Sequence, residues 1–286
     1  MARMTAVRRV VGALIRLVPH PSTLVSSAFF NVMRRPKLRA AAFRYVDWRD
    51  RRRIRRTGFT HLPPATLRYR VHGDLDLNSF LQSGRHCSDD VRSALASLGK
   101  DLGSFREVLD FGCGCGRTII WFSEAAKSVR FSGTDIDAAA IEWCREHLTF
   151  ASFQVNGATP PLTYRTDSFD LIYALSVFTH LDEAFQVLWL GELQRITKPK
   201  GVVVLSVHGS YYWSGMAPQQ VEKLREKGLL FERAPAPAQG LFPDWYQNAY
   251  HTQEYVRSTF SKYFDLQAYI PQGLDGGQDI VVMQKR

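Results

Sequence analysis

Val108-Leu109-Asp110-Phe111-Gly112-Cys113-Gly114-Cys115-Gly116-Arg117 is the stretch on which the fold turns. Its first half is a short apolar run of the kind that makes a buried parallel strand. Its second half alternates glycine with small residues before Thr118-Ile119-Ile120-Trp121-Phe122 begins a helix expected to run from Arg117 to Lys127. Glycines let backbone pass close to a ligand, and a helix start offers unpaired N–H groups. A strand that feeds a helix through such a turn is therefore a site for a nucleotide-like ligand.

Spacing narrows the ligand. A dinucleotide fingerprint would need glycine where Arg117 stands, and a P-loop would need Gly-Lys-Ser/Thr, which does not follow. Downstream, Val129 to Asp135 reads as a second strand ending in a carboxylate, 23 positions after Gly112. Such a carboxylate can accept both hydroxyls of a ribose. Ala138 to Leu148 is a helix by composition, a cap at Asp135 or Asp137 being the alternative to the sugar-binding role, and Ser152 to Gly157 is a third strand and its exit. Leu171 to Leu175 is a buried central strand preceded by Asp170. A helix from Glu183 to Thr197, a turn Lys198-Pro199-Lys200-Gly201 and a fifth strand Val202 to Val207 follow. Thr252 caps a last helix, and Phe264–Ile270 with Asp279–Met283 form a closing antiparallel pair.

With Asp110, Gly112, Gly114 and Gly116 reading D-x-G-x-G-x-G, and Asp135 and Asp170–Leu175 in order behind it, residues from about 100 to 286 resemble the class I S-adenosylmethionine-dependent methyltransferases of small-molecule type. The resemblance implies an α/β fold: a doubly wound, mostly parallel seven-stranded sheet with a C-terminal antiparallel hairpin. It implies S-adenosyl-L-methionine as cofactor, held by Asp110, Gly112, Cys113, Gly114, Gly116, Arg117, Asp135, Ile136, Asn156, Gly157, Ala174 and Leu175. The family often has an acid near Asn156–Gly157 for the adenine amino group; here that contact falls to Asn156 or to backbone. The Asn/Asp-Pro-Pro-aromatic and Pro-Cys motifs of base-methylating enzymes are missing after the fourth strand, which counts against nucleic acid as acceptor. A hydroxyl acceptor needs a base, and the candidates near the crevice are His180, His208 and His251. The implied reaction is methyl transfer to a small-molecule, sugar or lipid-linked acceptor at oxygen. RNA or protein methylation and a non-catalytic nucleoside-binding role are the alternatives.

Charge divides the chain. Residues 1–70 hold 17 Lys and Arg against Asp47 and Asp50, a net +15, so the remainder of this +10 protein carries −5. Val7, Val10, Val11, Leu14, Leu17 and Val18 recur at helical spacing opposite Arg8, Arg9 and Arg16. That run is too short and too charged to span a bilayer, and Arg16 argues against a signal peptide. Arg49 to Arg56 forms a second basic stretch with Trp48 and Ile54. The expected organisation is a basic helical extension over 1–60 and a methyltransferase domain over 61–286, with a substrate lid inserted at about 210–250. The lid is rich in aromatics, among them Phe231, Phe242, Trp245, Tyr246 and Tyr250. The extension suits solvated packing or peripheral contact with an anionic membrane or lipid-linked substrate. Within residues 62–100, Leu67–Val71 alternates like an extended segment, and Ser88 is the expected cap of a helix ending at Gly99. Four cysteines (Cys87, Cys113, Cys115, Cys144) make no disulfide framework and no metal spacing, so no metal and a reducing, cytoplasmic setting are expected.

Overall fold

The computed structural model describes residues 35–54, 58–232 and 247–286. They fall into two compact units, one made of residues 35–54 and 58–77, the other of residues 78–232 and 247–286. The apolar periodicity read at Val7–Val18, the end of the Arg49–Arg56 stretch, and Phe242, Trp245 and Tyr246 lie outside the described residues.

In the first unit, helix α1 (Pro36–Arg51) starts with proline at a position that needs no N–H. Helix α2 (Ala65–His72) ends at Gly73 in the left-handed conformation. Val46, Ala65, Tyr69 and Leu75 pack as a small core with Phe43 against it. Asp50, 2% exposed, accepts from Arg49 Nε at 2.7 Å and Arg68 Nη2 at 2.5 Å, while Arg68 Nε donates to Pro63 O at 3.1 Å. The extended segment expected at Leu67–Val71 is therefore helical. The alternation did not mark a strand face: Leu67, Arg68 and Tyr69 are all buried, the arginine in its ion pair with Asp50.

In the second unit, one seven-stranded sheet has the order β3-β2-β1-β4-β5-β9-β8. The strands are β1 (Glu107–Phe111), β2 (Arg130–Asp135), β3 (Ala151–Val155), β4 (Phe169–Ala174), β5 (Thr197–Val207), β8 (Asp265–Leu274) and β9 (Gln278–Gln284). The first five run parallel, β9 pairs antiparallel with β5, and β8 pairs antiparallel with β9. This is the expected doubly wound sheet with its terminal hairpin. The order reverses between β1 and β4, which opens a crevice at the carboxyl ends of those strands.

Helices α4 (Ala138–His147), α5 (Glu183–Ile196) and α8 (Gln253–Phe260) flank the sheet, capped by side chains of Asp137, Asp182 and Thr252. Trp189, Leu190, Leu193 and Ile196 of α5 and Val256 and Phe260 of α8 share one buried cluster with Ile172, Val203, Leu205 and Val281. Asp170 stitches the sheet floor: its carboxylate accepts from Arg106 N (3.0 Å), Glu107 N (2.8 Å) and Lys198 Nζ (2.9 Å). Burial works to raise its pKa, but those donors outweigh it and hold it below the ordinary value. Lys200 adopts φ +64°, the left-handed turn that glycine would fill without strain.

Two local readings are corrected. The segment after the glycine turn is a 3₁₀ helix, Ile119–Lys127, rather than an α-helix from Arg117. Helix α3 spans Leu77–Ala96, so Ser88 is no cap; mid-helix, it turns its hydroxyl back onto Arg85 O at 2.8 Å. Between β5 and α8 the described chain forms α6 (Ser210–Trp213), α7 (Pro218–Lys227) and a two-stranded sheet of β6 (Leu229–Glu232) with β7 (Asn248–His251).

Candidate functional site

The glycine loop is folded by strand β2. Gly112 N and Cys113 N both donate to Thr134 O, at 2.8 and 3.0 Å, so the chain bends as soon as β1 ends. Gly112 and Gly116 both sit at φ +79°. A Cβ at Gly112 would lie 2.2 Å from Val177 Cγ2, and one at Gly116 would lie 2.5 Å from Leu148 Cδ1. Conformation and space therefore both demand glycine there. Cys113 and Cys144 point their thiols at Gly114 O, at 3.7 and 3.6 Å, and Cys115 is fully buried. Burial pushes the Cys113 thiol well above its usual pKa. These cysteines are small apolar fillers behind the loop.

Asp135 closes the loop from β2. Its Oδ2 accepts from Gly114 N at 2.7 Å and its Oδ1 from Asp137 N at 2.8 Å. An ionised carboxylate offers about four lone-pair sites, so each oxygen retains acceptor capacity for a sugar hydroxyl. The helix cap is Asp137, whose Oδ1 takes Ala139 N and Ala140 N at 3.1 and 3.4 Å. Ile136 is half-buried between them. Asn156 is engaged internally: N donates to Asp135 O (3.0 Å), Oδ1 accepts from Thr134 Oγ1 (2.9 Å), and Nδ2 donates to Gly157 O (2.8 Å). Gly157 is exposed, with backbone to offer a base edge.

Asp110 lies under the loop, 4% exposed. Burial raises its pKa to about 8, with the Asp135 charge adding to the effect, and burial raises Asp135 as well. Two desolvated carboxylates disfavour a pyrophosphate and favour a ligand that brings hydroxyls and positive charge. S-adenosylmethionine has a ribose diol, an ammonium and a sulfonium, so the donor set fits it.

Around this core, Arg117, Ala174 and Leu175 from the sequence reading meet Ser83, Gly84, His86, Asp90, Ser206, Asp275 and Gln278, which the sequence did not single out. Arg117 Nη1 donates to Ser83 Oγ at 3.2 Å, and Ser83 donates to Asp275 Oδ2 at 2.7 Å. His86 Nδ1 is 2.9 Å from Asp275 Oδ1, and Asp275 N donates to Asp90 Oδ2 at 2.7 Å. The β8–β9 turn is thereby tied to α3 and to the glycine loop. Gly84 lets α3 approach, since a Cβ there would lie 2.3 Å from Arg117 O. Ala174 and Leu175 are buried at the end of β4, followed by Ser176 at φ +59°. Non-glycine residues in that region cluster at functional sites. Ser176 N donates to Ser206 Oγ (2.7 Å), Ser206 Oγ to Gln278 Oε1 (2.7 Å), and Gln278 Nε2 to Ser176 Oγ (2.9 Å). Only the Gly-Gly-Gln run between two predicted strands hinted at this contribution from β9.

The three histidines gather where β7 joins the sheet. Ala249 N donates to Thr179 O (2.7 Å) and His251 N to His208 O (2.9 Å). The rings of His180 and His208 stand 6.3 Å apart at 89°, and His208 lies 4.2 Å from the Tyr212 ring and 5.4 Å from that of Tyr250. His180 Nδ1 is 2.5 Å from Gln247 O. A carbonyl only accepts, so the proton sits on Nδ1 and Nε2 is the basic nitrogen. His251 is fully buried, with Nε2 donating to Gln186 Oε1 at 3.1 Å; Gln186 Nε2 donates to Phe178 O (3.2 Å) and Leu181 O (2.9 Å). Burial lowers all three: His180 below its ordinary value, His208 and His251 to about 3. Among the described residues no three His, Cys, Asp or Glu are grouped to hold a metal ion, and no helix is long and apolar enough to cross a membrane.

Residues 108–201 match the family described as "Methyltransferase domain". Among solved structures, the chain is similar to a SAM-dependent methyltransferase from Methanosarcina mazei, at 19% identity over 63% of this chain and 92% of that one, with TM-score 0.49. It is similar also to the N-methyltransferase NodS from Bradyrhizobium japonicum WM9 in complex with S-adenosyl-L-homocysteine, at 17% identity over 74% and 90%, TM-score 0.47. A third is geranyl diphosphate C-methyltransferase from Streptomyces coelicolor A3(2), at 12% identity over 69% and 78%, TM-score 0.46. The matched span runs from β1 into β5 and contains the glycine loop and Asp135.

Proposed function

We propose that this protein is an S-adenosylmethionine-dependent methyltransferase acting on a hydroxyl group of a small-molecule, sugar or lipid-linked acceptor. The observation that carries the proposal is the tautomer of His180. With Nδ1–H given to Gln247 O, the ring presents Nε2 as a base, and burial keeps it neutral at physiological pH. When bound, the cofactor supplies a methyl group already activated by a sulfonium. Asp135 and the glycine loop orient the sugar end, and Asp110 offsets positive charge with its buried carboxyl. A hydroxyl acceptor must lose a proton to complete the exchange, and Nε2 of His180 takes it. His208, neutral and flanked by Tyr212 and Tyr250, shapes the acceptor side with an aromatic wall. His251 acts from the interior, holding Gln186 and through it the Phe178 and Leu181 carbonyls.

The test is transfer from methyl-labelled cofactor to a panel of hydroxyl, amine and carboxylate acceptors. General-base removal costs about 10²–10⁴ in turnover. His180→Ala is expected to lose that much with a hydroxyl acceptor and to retain S-adenosylhomocysteine affinity. Full turnover by His180→Ala on the true acceptor would refute the assignment.

A further inference from the structure

We propose that the outward face of α1 is a docking surface for an anionic phospholipid membrane. Residues 35–54 carry eight Lys and Arg against two Asp, a net +6. Asp50 is buried between Arg49 and Arg68, and Asp47 Oδ1 accepts from Ala65 N at 2.7 Å. The inward face of the helix is fixed by those bonds and by Val46 and Ala42. Lys37, Arg44, Trp48, Arg51 and Arg52 are left exposed, at positions that repeat on one side of a helix.

Trp48 decides between kinds of anionic partner. It is 46% exposed on the helix surface, with the Arg52 guanidinium 4.2 Å above its ring and Tyr45 5.9 Å away. A large indole among arginines suits the headgroup level of a bilayer, where its apolar ring and the cations are both satisfied. The amphipathic periodicity of Val7–Val18, with Arg8, Arg9 and Arg16 opposite, continues the same chemistry in sequence. Nucleic acid would use the charges but gives an indole on a helix surface no reason to be exposed unless bases are unstacked. The proposal is independent of the methyl-transfer reading.

Each basic residue near an anionic leaflet raises partitioning about fivefold. The test is co-sedimentation of the full chain with phosphatidylcholine vesicles, with and without phosphatidylglycerol, and with a single-stranded RNA in parallel. The expected result is binding only to the anionic vesicles, weakened by salt. Arg44→Gln with Arg51→Gln should cost about 25-fold. Trp48→Ala should weaken binding separately, while Lys223→Gln with Lys227→Gln on α7, which removes the same charge elsewhere, changes little. Unaltered thermal melting of each variant certifies its fold. No binding to anionic vesicles, equal losses for the two charge pairs, or tighter binding to RNA through the same residues would each overturn the proposal.

Discussion

Asp110 offers the sharpest test of the cofactor site. Its carboxyl is 4% exposed and burial raises its pKa to about 8, so at neutral pH the ligand-free protein holds it mostly protonated. Keeping it ionised at pH 7 costs roughly 1.4 kcal/mol. A cationic ligand stabilises the ionised form, so binding below pH 8 must release a proton. The sign follows: affinity rises with pH and levels off above 8. If the bound state is fully ionised, the rise is about ninefold from pH 6 to 7 and about fiftyfold from pH 6 to 8. The ligand's own ammonium also titrates, but equally in wild type and Asp110→Asn, so the ratio of the two affinities isolates the residue. Calorimetry with S-adenosylmethionine in buffers of different ionisation enthalpy should detect close to one extra proton released by the wild type at pH 7. A ratio that stays constant between pH 6 and 8 would refute the reasoning. Stability moves the other way: with its folded pKa raised, Asp110 favours the ligand-free fold most below about pH 4 and loses that contribution as pH rises through 8.

Asp135→Ala removes both the proposed sugar acceptor and the anchor of Gly114 N, and should weaken S-adenosylhomocysteine at least tenfold by titration calorimetry, since each hydrogen bond to a charged group is worth roughly 1.5–3 kcal/mol. Gly112→Ala combines φ +79° with a 2.2 Å approach to Val177 and should abolish cofactor binding; adding Val177→Ala relieves only the clash, so recovery to wild-type affinity would show that the backbone angle does not matter. His208 and His251 should stay neutral down to about pH 4 in a histidine NMR titration. Their lowered pKa values contribute stability above 6.5 that is lost as pH falls toward 3, and a midpoint near 6.5 for either would contradict its burial. Asp50→Asn leaves Arg68 buried without its counter-ion and should destabilise the first unit by about 3–5 kcal/mol in urea, whereas a loss under about 1 kcal/mol would mean the pair is solvated.

Local chemistry made much of this protein legible. A glycine at every second position after an apolar run reads as a turn, and short β-rich runs bounded by turn residues read as strands of a buried sheet. Hence β1, β2, β4, β5 and the closing hairpin, the glycine loop and Asp135 could be read from residue order. Side-chain caps at Asp137 and Thr252 were equally local, because a cap acts within three residues. Ser88 misled for the same reason: a serine before two aspartates has the local look of a helix start, yet the packing of α3 carries the helix through it.

What residue order determined is therefore the sheet and the cofactor loop, since periodicity and turn chemistry act over a few neighbours. Only the tertiary structure decided how the site is completed. Asp275 and Gln278 meet Ser83 and Ser176 across more than a hundred residues, and Gln247 sets the tautomer of His180 from 67 positions away. It also decided that Arg68 belongs to a buried ion pair with Asp50, a partner 18 residues back on another helix. Burial and long-range pairing set protonation and hydrogen bonding, and neither is encoded in any short window of sequence.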